Sequence, residues 1–319
     1  MKRFLAVLAF LPMLNTVTQA ADDVTLRLNT TLNGWHCPWH MARDRGWFSE
    51  AGINLKEIGE GRGSADTIQL VAAGTDTFGL VDPSVVIASV AKGLPVKAVF
   101  SLMNKSTLAV VSPEAKPIRS AADLKGKTFV TLGGSAAQQL FQAVLAVNHL
   151  ASDDVRVVAV DAAAQYTTLM SGQVDGLIIG LDGIPDLEAR GFKYHVINFA
   201  DLGVNTPVSS VATTAAAIDG KSDLVHRFLV VTRRAWDEAQ KSPDAVVDAC
   251  MKQKPTGSRE AFRKQLDLVL GVLFSDATKG HPVGWGAETD WEAALKIQKE
   301  YRNVKTDQPI SAFFTNALQ

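Results

Sequence analysis

The sequence predicts an α/β protein of two lobes, each a mostly parallel sheet with helices on its faces. Three observations lead there. Short β-rich runs alternate with helical runs along residues 24–199, and each parallel crossover needs such a helix. A phrase recurs: Gln69-Leu70-Val71-Ala72-Ala73-Gly74-Thr75-Asp76-Thr77-Phe78-Gly79-Leu80 is echoed by Thr168-Leu169-Met170-Ser171-Gly172-Gln173-Val174-Asp175-Gly176-Leu177-Ile178-Ile179. In both, a helix ends on a left-handed glycine, an aspartate turns the chain and a buried strand begins. Finally, from Asp219 onward the pattern is helical, as expected of elements that return to cover a lobe already built.

The elements follow in order. A strand at 24–28 precedes a loop at 29–37, and Pro38 opens a short helix where its missing N–H costs least. Gly46 and Gly52 punctuate the end of that helix. A strand at 54–58 runs through Gly61-Arg62-Gly63-Ser64 into a helix at 65–73, closed by Gly74. A strand at 77–81 leads through Asp82-Pro83-Ser84 to a helix ending at Lys92, and 96–102 is a further strand. The second lobe, expected over 110–210, has strands at 128–131, 155–160, 177–179 and 194–199. Its helices run from Gly133-Gly134-Ser135 to His149 and over 166–170. Amphipathic stretches at 222–240, 259–274 and 290–301 should return to the first lobe, which then comprises 21–109 and 211–319. Chain crossings near 104–110 and 207–213 would form the hinge.

Residues 1–20 read as a signal peptide. Lys2 and Arg3 give a basic start, 4–14 is an apolar run too short to span a bilayer, and Thr18 and Ala20 occupy the positions a signal peptidase reads. The expected cut follows Ala20, with Ala21 as the alternative. No cysteine follows the apolar run to take a lipid, and no second long apolar stretch appears, so a secreted, periplasmic protein is expected. Cleavage would leave 30 basic and 33 acidic groups, a charge of −3 that gives no field to collect nucleic acid. A mean hydropathy of +0.08 is that of an ordinary globular chain.

In an open α/β sheet, ligands sit beyond the carboxyl ends of the strands. That rule selects the loop 33–39, the turn 62–64 and Asp82 in the first lobe, and 133–135, 161–166 and Asp182 in the second. Trp35 and Trp39 offer flat apolar surface for stacking, or else plug the core beneath the helix. Asp82 and Asp182 could accept from a ligand amino group or cap the next helix. Gly133-Gly134-Ser135 and Gly61-Arg62-Gly63-Ser64 could hold an anion at a helix N-terminus, although Ser64 and Ser135 are equally ordinary caps. His36, Cys37 and His40 lack the further ligands and the aligned face that a metal needs, so no metal and no cofactor is expected. Pairing of Cys37 with Cys250 in an oxidising compartment is left open. A secreted enzyme using Cys37 and His36 is the reading from another class, without a nucleophile elbow or phosphate-binding loop to support it.

Taken together, the leader, Ala42-Arg43-Asp44-Arg45-Gly46-Trp47-Phe48-Ser49-Glu50-Ala51-Gly52-Ile53, Gly63-Ser64, 69–79, Asp123-Leu124-Lys125-Gly126-Lys127 and Ser171-Gly172-Gln173-Val174-Asp175 resemble one family. It is the periplasmic solute-binding proteins of ABC importers that take sulfonates, taurine, nitrate or thiamine-pyrimidine precursors, and the similarity extends to Trp291 and Asn316. The resemblance implies a type II periplasmic binding protein that closes its lobes on a small solute and delivers it, as a monomer, to a permease in the inner membrane. A sensor domain reporting to a membrane kinase is a further role for the same fold. The family's ligand loops map onto Trp35, His36, Trp39, Ser64, Asp82, Asn104 by the hinge, Gly134, Ser135, Tyr166 and Asp182. One branch comprises enzymes that make the thiamine pyrimidine and carry a cysteine-rich iron-binding motif, which this sequence lacks. The ligand is expected to be a planar, pyrimidine-like heterocycle or other aromatic, with a small sulfonate, nitrate or carboxylate as the alternative.

Overall fold

The computed structural model describes residues 20–161 and 164–319 apart from residue 134. Residues 1–19 of the expected leader therefore lie outside the described residues, as does Gly134. No helix among the described residues is long and apolar enough to cross a membrane.

The strands are β1 (Asp22–Arg27), β2 (Ile53–Gly59), β3 (Phe78–Val81), β4 (Val96–Met103), β5 (Leu108–Pro113), β6 (Thr128–Leu132), β7 (Arg156–Val160), β8 (Gly176–Gly180), β9 (Tyr194–Asn198) and β10 (Ser209–Thr214). They form two five-stranded sheets, in the orders β2-β1-β3-β10-β4 and β7-β6-β8-β5-β9. β1 pairs parallel with β2 and β3, whereas β10 pairs antiparallel with β3 and β4. The second sheet repeats this arrangement, with β6 parallel to β7 and β8 and with β5 antiparallel to β8 and β9. Four strands of each sheet thus run one way and a single strand runs against them. The opposed strand is in each case the one the chain enters on arriving from the other sheet.

The repeated phrase has a physical counterpart. Gly74 and Gly172 both take left-handed backbone, with φ of +75° and +74°, a conformation that L side chains resist. They precede β3 and β8, which hold the third place in their sheets. Asp76 is buried and paired with Arg27 at 2.9 Å, while Asp175 accepts from the Thr128 amide at 2.9 Å. One aspartate therefore ties β3 to β1, and the other ties β8 to β6.

The crossing into the second sheet occupies 104–107, ahead of β5. The return crossing corrects the sequence reading. β10 already pairs within the first sheet from Ser209 onward, so the chain returns over 199–208 and not over 207–213. Helix Ser222–Lys241 then packs Phe228 on Phe78 with ring centres 3.9 Å apart, and Trp236 edge-on to Trp39 at 5.6 Å. Helix Glu288–Tyr301 serves both lobes. Trp291 and Ala294 pack in the first lobe with Val81, Ala212 and Phe313, and Ile297 packs in the second with Val110, Phe141 and Ile178.

Cys37 and Cys250 form a disulfide with Cα atoms 5.1 Å apart, joining helix Cys37–Asp44 to helix Pro243–Gln253. Both residues are fully buried. Closing so long a loop restricts the unfolded chain strongly, so Cys37→Ser/Cys250→Ser should lose about 2–5 kcal/mol of stability by urea denaturation.

Two histidines lie beside the bridge. His36 is fully buried; its Nδ1 accepts from the Asn33 amide at 3.2 Å, which leaves the proton on Nε2 facing Asn29 Oδ1 at 3.2 Å. A second ring proton would meet the Asn33 N–H head-on. Burial and the neighbouring His40 hold the His36 imidazole down to about 3, and burial with Arg43 holds His40 at about 4. Both stay neutral in the fold, whereas the unfolded chain takes protons as pH drops through about 6.5. Stability is therefore complete above that pH and declines below it, by up to about 4 kcal/mol for the pair at pH 5. Melting curves from pH 7.5 to 5 should show the decline, with a shallower slope for His40→Gln.

Candidate functional site

The carboxyl end of β3, the two crossings and helix Glu288–Tyr301 border a cavity of about 220 Å³. Its polar lining comes from Asp82, Ser84, Ser106, Thr107, Thr206, Gln298 and Arg302. Leu108, Leu140, Pro207, Val208, Ile297 and Tyr301 supply apolar wall, Leu140 from the helix Ala136–Val147 that follows β6. At this size the cavity admits a molecule of a single ring or smaller, below the range typical of drug-sized ligands.

Asp82 arrives there because β3 ends and a helix starts without a loop between them. Pro83 takes the first helical position, and Asp82 Oδ1 accepts from the Ser84 amide at 2.7 Å. The Asp82 amide in turn donates to Ser64 Oγ at 3.0 Å, which ties the turn after β2 to the end of β3. Burial pushes the Asp82 carboxyl above the usual carboxylate range, against the hydrogen bonds from Ser84 and the charge of Arg302. The site thus holds a carboxylate whose charged form is poorly solvated and would gain from a ligand donor or cation.

Trp35 lines a different space, a groove of about 560 Å³ shared with Asp182, Pro185 and helix Arg259–Leu270. Gly34 permits that packing, since a Cβ there would lie 2.0 Å from the Phe262 carbonyl, and its amide donates to Gln265 at 2.8 Å. Leu181 reaches across to pack on the first lobe's core. Hence Trp35 and Asp182 come together, but apart from Asp82.

Several expected ligand groups have partners within the protein. Trp39 is fully buried, its Nε1 donating to Thr232 at 3.3 Å, so it has no face toward either space. His36 is the neutral, doubly bonded core residue described above. Asn104 spends its amide on the Ser101, Leu273 and Trp285 carbonyls at 3.0–3.2 Å. Ser135 caps its helix by accepting from the Gln138 amide at 3.1 Å. Tyr166 is 8% exposed within the second lobe's core, its hydroxyl pushed up to about 12 by burial and then by Asp186. Arg62 lies on the surface, 3.1 Å from Asp66. Cys37 is consumed by the disulfide, which removes the thiol that an enzyme reading required. Among the described residues, no group of three metal-ligating side chains comes together. The contribution of Gln298, Tyr301 and Arg302 was hidden from sequence reading, because nothing local distinguishes a helix that packs on one lobe from one that spans two.

With the geometry in place, relatives can be compared. The sequence model described as NMT1/THI5 like matches residues 33–246. The chain belongs to the NMT1/THI5-like family. It is 32% identical to a 4-amino-5-hydroxymethyl-2-methylpyrimidine phosphate synthase of Legionella pneumophila, over 92% of this chain and 91% of that protein. It is 22% identical to the riboflavin-binding protein RibY of Chloroflexus aurantiacus, over 92% and 85% respectively. Among solved structures, the periplasmic aliphatic sulphonate binding protein SsuA of Escherichia coli superposes with a TM-score of 0.67 at 14% identity, covering 92% of each chain. That likeness confirms the two-lobed periplasmic-binding-protein fold.

Trp35, in the turn before helix Cys37–Asp44, and Trp39, within it, have separable roles. Trp39→Ala should cost about 3–5 kcal/mol of stability through the void it leaves against Trp236. Trp35→Ala, half-buried at the groove, should cost less than half as much, as denaturant midpoints would show.

Proposed function

We propose that this protein is the solute-binding component of an ABC importer, exported by cleavage after Ala20 or Ala21 and working as a periplasmic monomer. It closes its lobes on a small planar nitrogen heterocycle bearing an amino group. One observation carries the reading: a single-ring-sized cavity at the crossings between the lobes, with the poorly solvated Asp82 carboxylate in an otherwise largely apolar wall. A ring amino group would donate to Asp82, with Leu108, Pro207 and Ile297 against the ring. The names of two relatives point the same way, since a riboflavin-binding protein and a pyrimidine phosphate synthase both handle planar nitrogen heterocycles. Capture, not conversion, is favoured because both cysteines are sealed in the disulfide and Asp82 is already engaged as a cap.

Arg302 in the same lining favours a second reading, a small sulfonate or carboxylate. Binding led by that guanidinium should weaken as salt rises, whereas stacking against an apolar wall should not.

Refolded protein, stripped of carried-over ligand, would be melted against aminopyrimidines, other heterocycles, aromatic acids, sulfonates and nitrate. A ligand at 100 times its Kd adds about 2.7 kcal/mol, a shift of several degrees. Aminopyrimidines should give it, and a panel with no shift would sink the proposal. Asp82→Asn should abolish the response while leaving the free protein as stable or more so at pH 7.5, since asparagine caps helices equally well and brings no charge to bury.

A further inference from the structure

We propose that Asn205 is the positioning residue of the hinge: it pegs both crossings to the first lobe, so that the lobes pivot only at Ser106–Thr107 and Val204–Asn205. Its side chain makes three bonds in three directions. Nδ2 donates to the Asn104 carbonyl at 2.8 Å and to Asp290 Oδ1 at 2.9 Å, and Oδ1 accepts from the Ser106 amide at 2.9 Å. One crossing is thereby stitched to the other and both to helix Glu288–Tyr301.

On the near side of these bonds the backbone is held to the first lobe, and one side-chain ion pair, Lys105 Nζ to Asp201 at 2.8 Å, spans the two crossings. Asn104 is fastened to the Ser101, Leu273 and Trp285 carbonyls, and the Lys105 amide donates to Val272 at 3.0 Å. Asp290 is buried and accepts from Ser275 Oγ at 2.5 Å. On the far side the chain is held to the second lobe. Thr107 O accepts from the Leu181 amide at 2.8 Å, the Val204 amide donates to Phe199 at 2.8 Å, and Leu202 O accepts from Asn148 at 2.7 Å. The change of allegiance falls between Ser106 and Thr107 on one crossing and between Val204 and Asn205 on the other. Hinge motion concentrates in such few residues at the ends of elements. Asn205 itself is not part of the cavity lining, so it would act on capture through the lobe angle and not by touching solute.

This inference rests on the lobe closure proposed above, but its test needs no ligand. Nitroxide labels on Lys56→Cys and Lys125→Cys, exposed positions on opposite lobes, report the interlobe distance distribution by pulsed electron resonance. The native cysteines are buried in their disulfide and do not compete. In the labelled protein, Asn205→Ala should broaden the distribution at least twofold, and Asp290→Ala, which spares the two crossing bonds, should broaden it less. The destabilised Cys37→Ser/Cys250→Ser protein (labelled through a reactive non-cysteine handle at the same sites) should keep the parent width, separating hinge control from loss of stability. A folded Asn205→Ala protein with the parent width would overturn the proposal. Should that variant fail to fold, Asp290→Ala decides alone, and an unchanged width there overturns it equally. A panel of solutes without a thermal shift would defeat the function proposed above and leave this measurement unaffected.

Discussion

Each sheet is completed by a strand that the chain delivers from the other lobe. β10 inserts between β3 and β4, and β5 between β8 and β9, each held on both sides by antiparallel ladders. The crossings leave from the carboxyl ends of β4 and β9, each of which runs the same way as three other strands of its sheet and against the one it pairs with. The carboxyl ends of both sheets must therefore point toward the same crossing region. Loops and helix N-termini gather at carboxyl ends, so the exchange of strands is what brings functional loops from two sheets to face each other.

Asp82 shows what that placement demands energetically. A strand end and a helix start meet at one residue, so its carboxylate satisfies a helix amide while its backbone amide donates to Ser64. The same compactness buries it enough to disfavour its charge. A group that is comfortable in the apo fold has little to gain from a ligand; one that is partly compensated has more. The cap thus keeps Asp82 oriented, while incomplete solvation leaves it a receptive partner.

Much of this architecture was legible because it is written in local chemistry. Gly74 and Gly172 announce the entry to equivalent strands, and Asp82-Pro83-Ser84 announces a cap. What local signals missed depends on distant partners. Trp35 and Trp39 are only four residues apart, yet helix Ser222–Lys241 covers Trp39 and leaves Trp35 at a groove. The return crossing was placed too late because 207–213 is punctuated like a loop, and only the pairing of β10 with β3 and β4 shows that it has already joined a sheet. The disulfide was open for the same reason: two cysteines show no connectivity until helices Cys37–Asp44 and Pro243–Gln253 are brought together. Helix Glu288–Tyr301 was recognised as amphipathic, but its split loyalty appears only when Trp291 and Ile297 are found in different cores.

The cavity and the crossings are not independent features. Ser106, Thr107, Thr206 and Pro207 belong to the crossings and line the cavity as well. A ligand can shift a conformational equilibrium only by as much as its affinities for the two states differ. A solute lodged far from the crossings would acquire that difference only through the opposing wall. One lodged against the crossings themselves would meet groups whose relative positions change with any rotation there, while Leu140 and Ile297 stand on two helices that pack together in the second lobe's core. Under the proposed closure, the position of the cavity would couple occupancy to lobe angle more directly than its modest size alone suggests, and a small molecule with few atoms to spend on contacts needs that directness most.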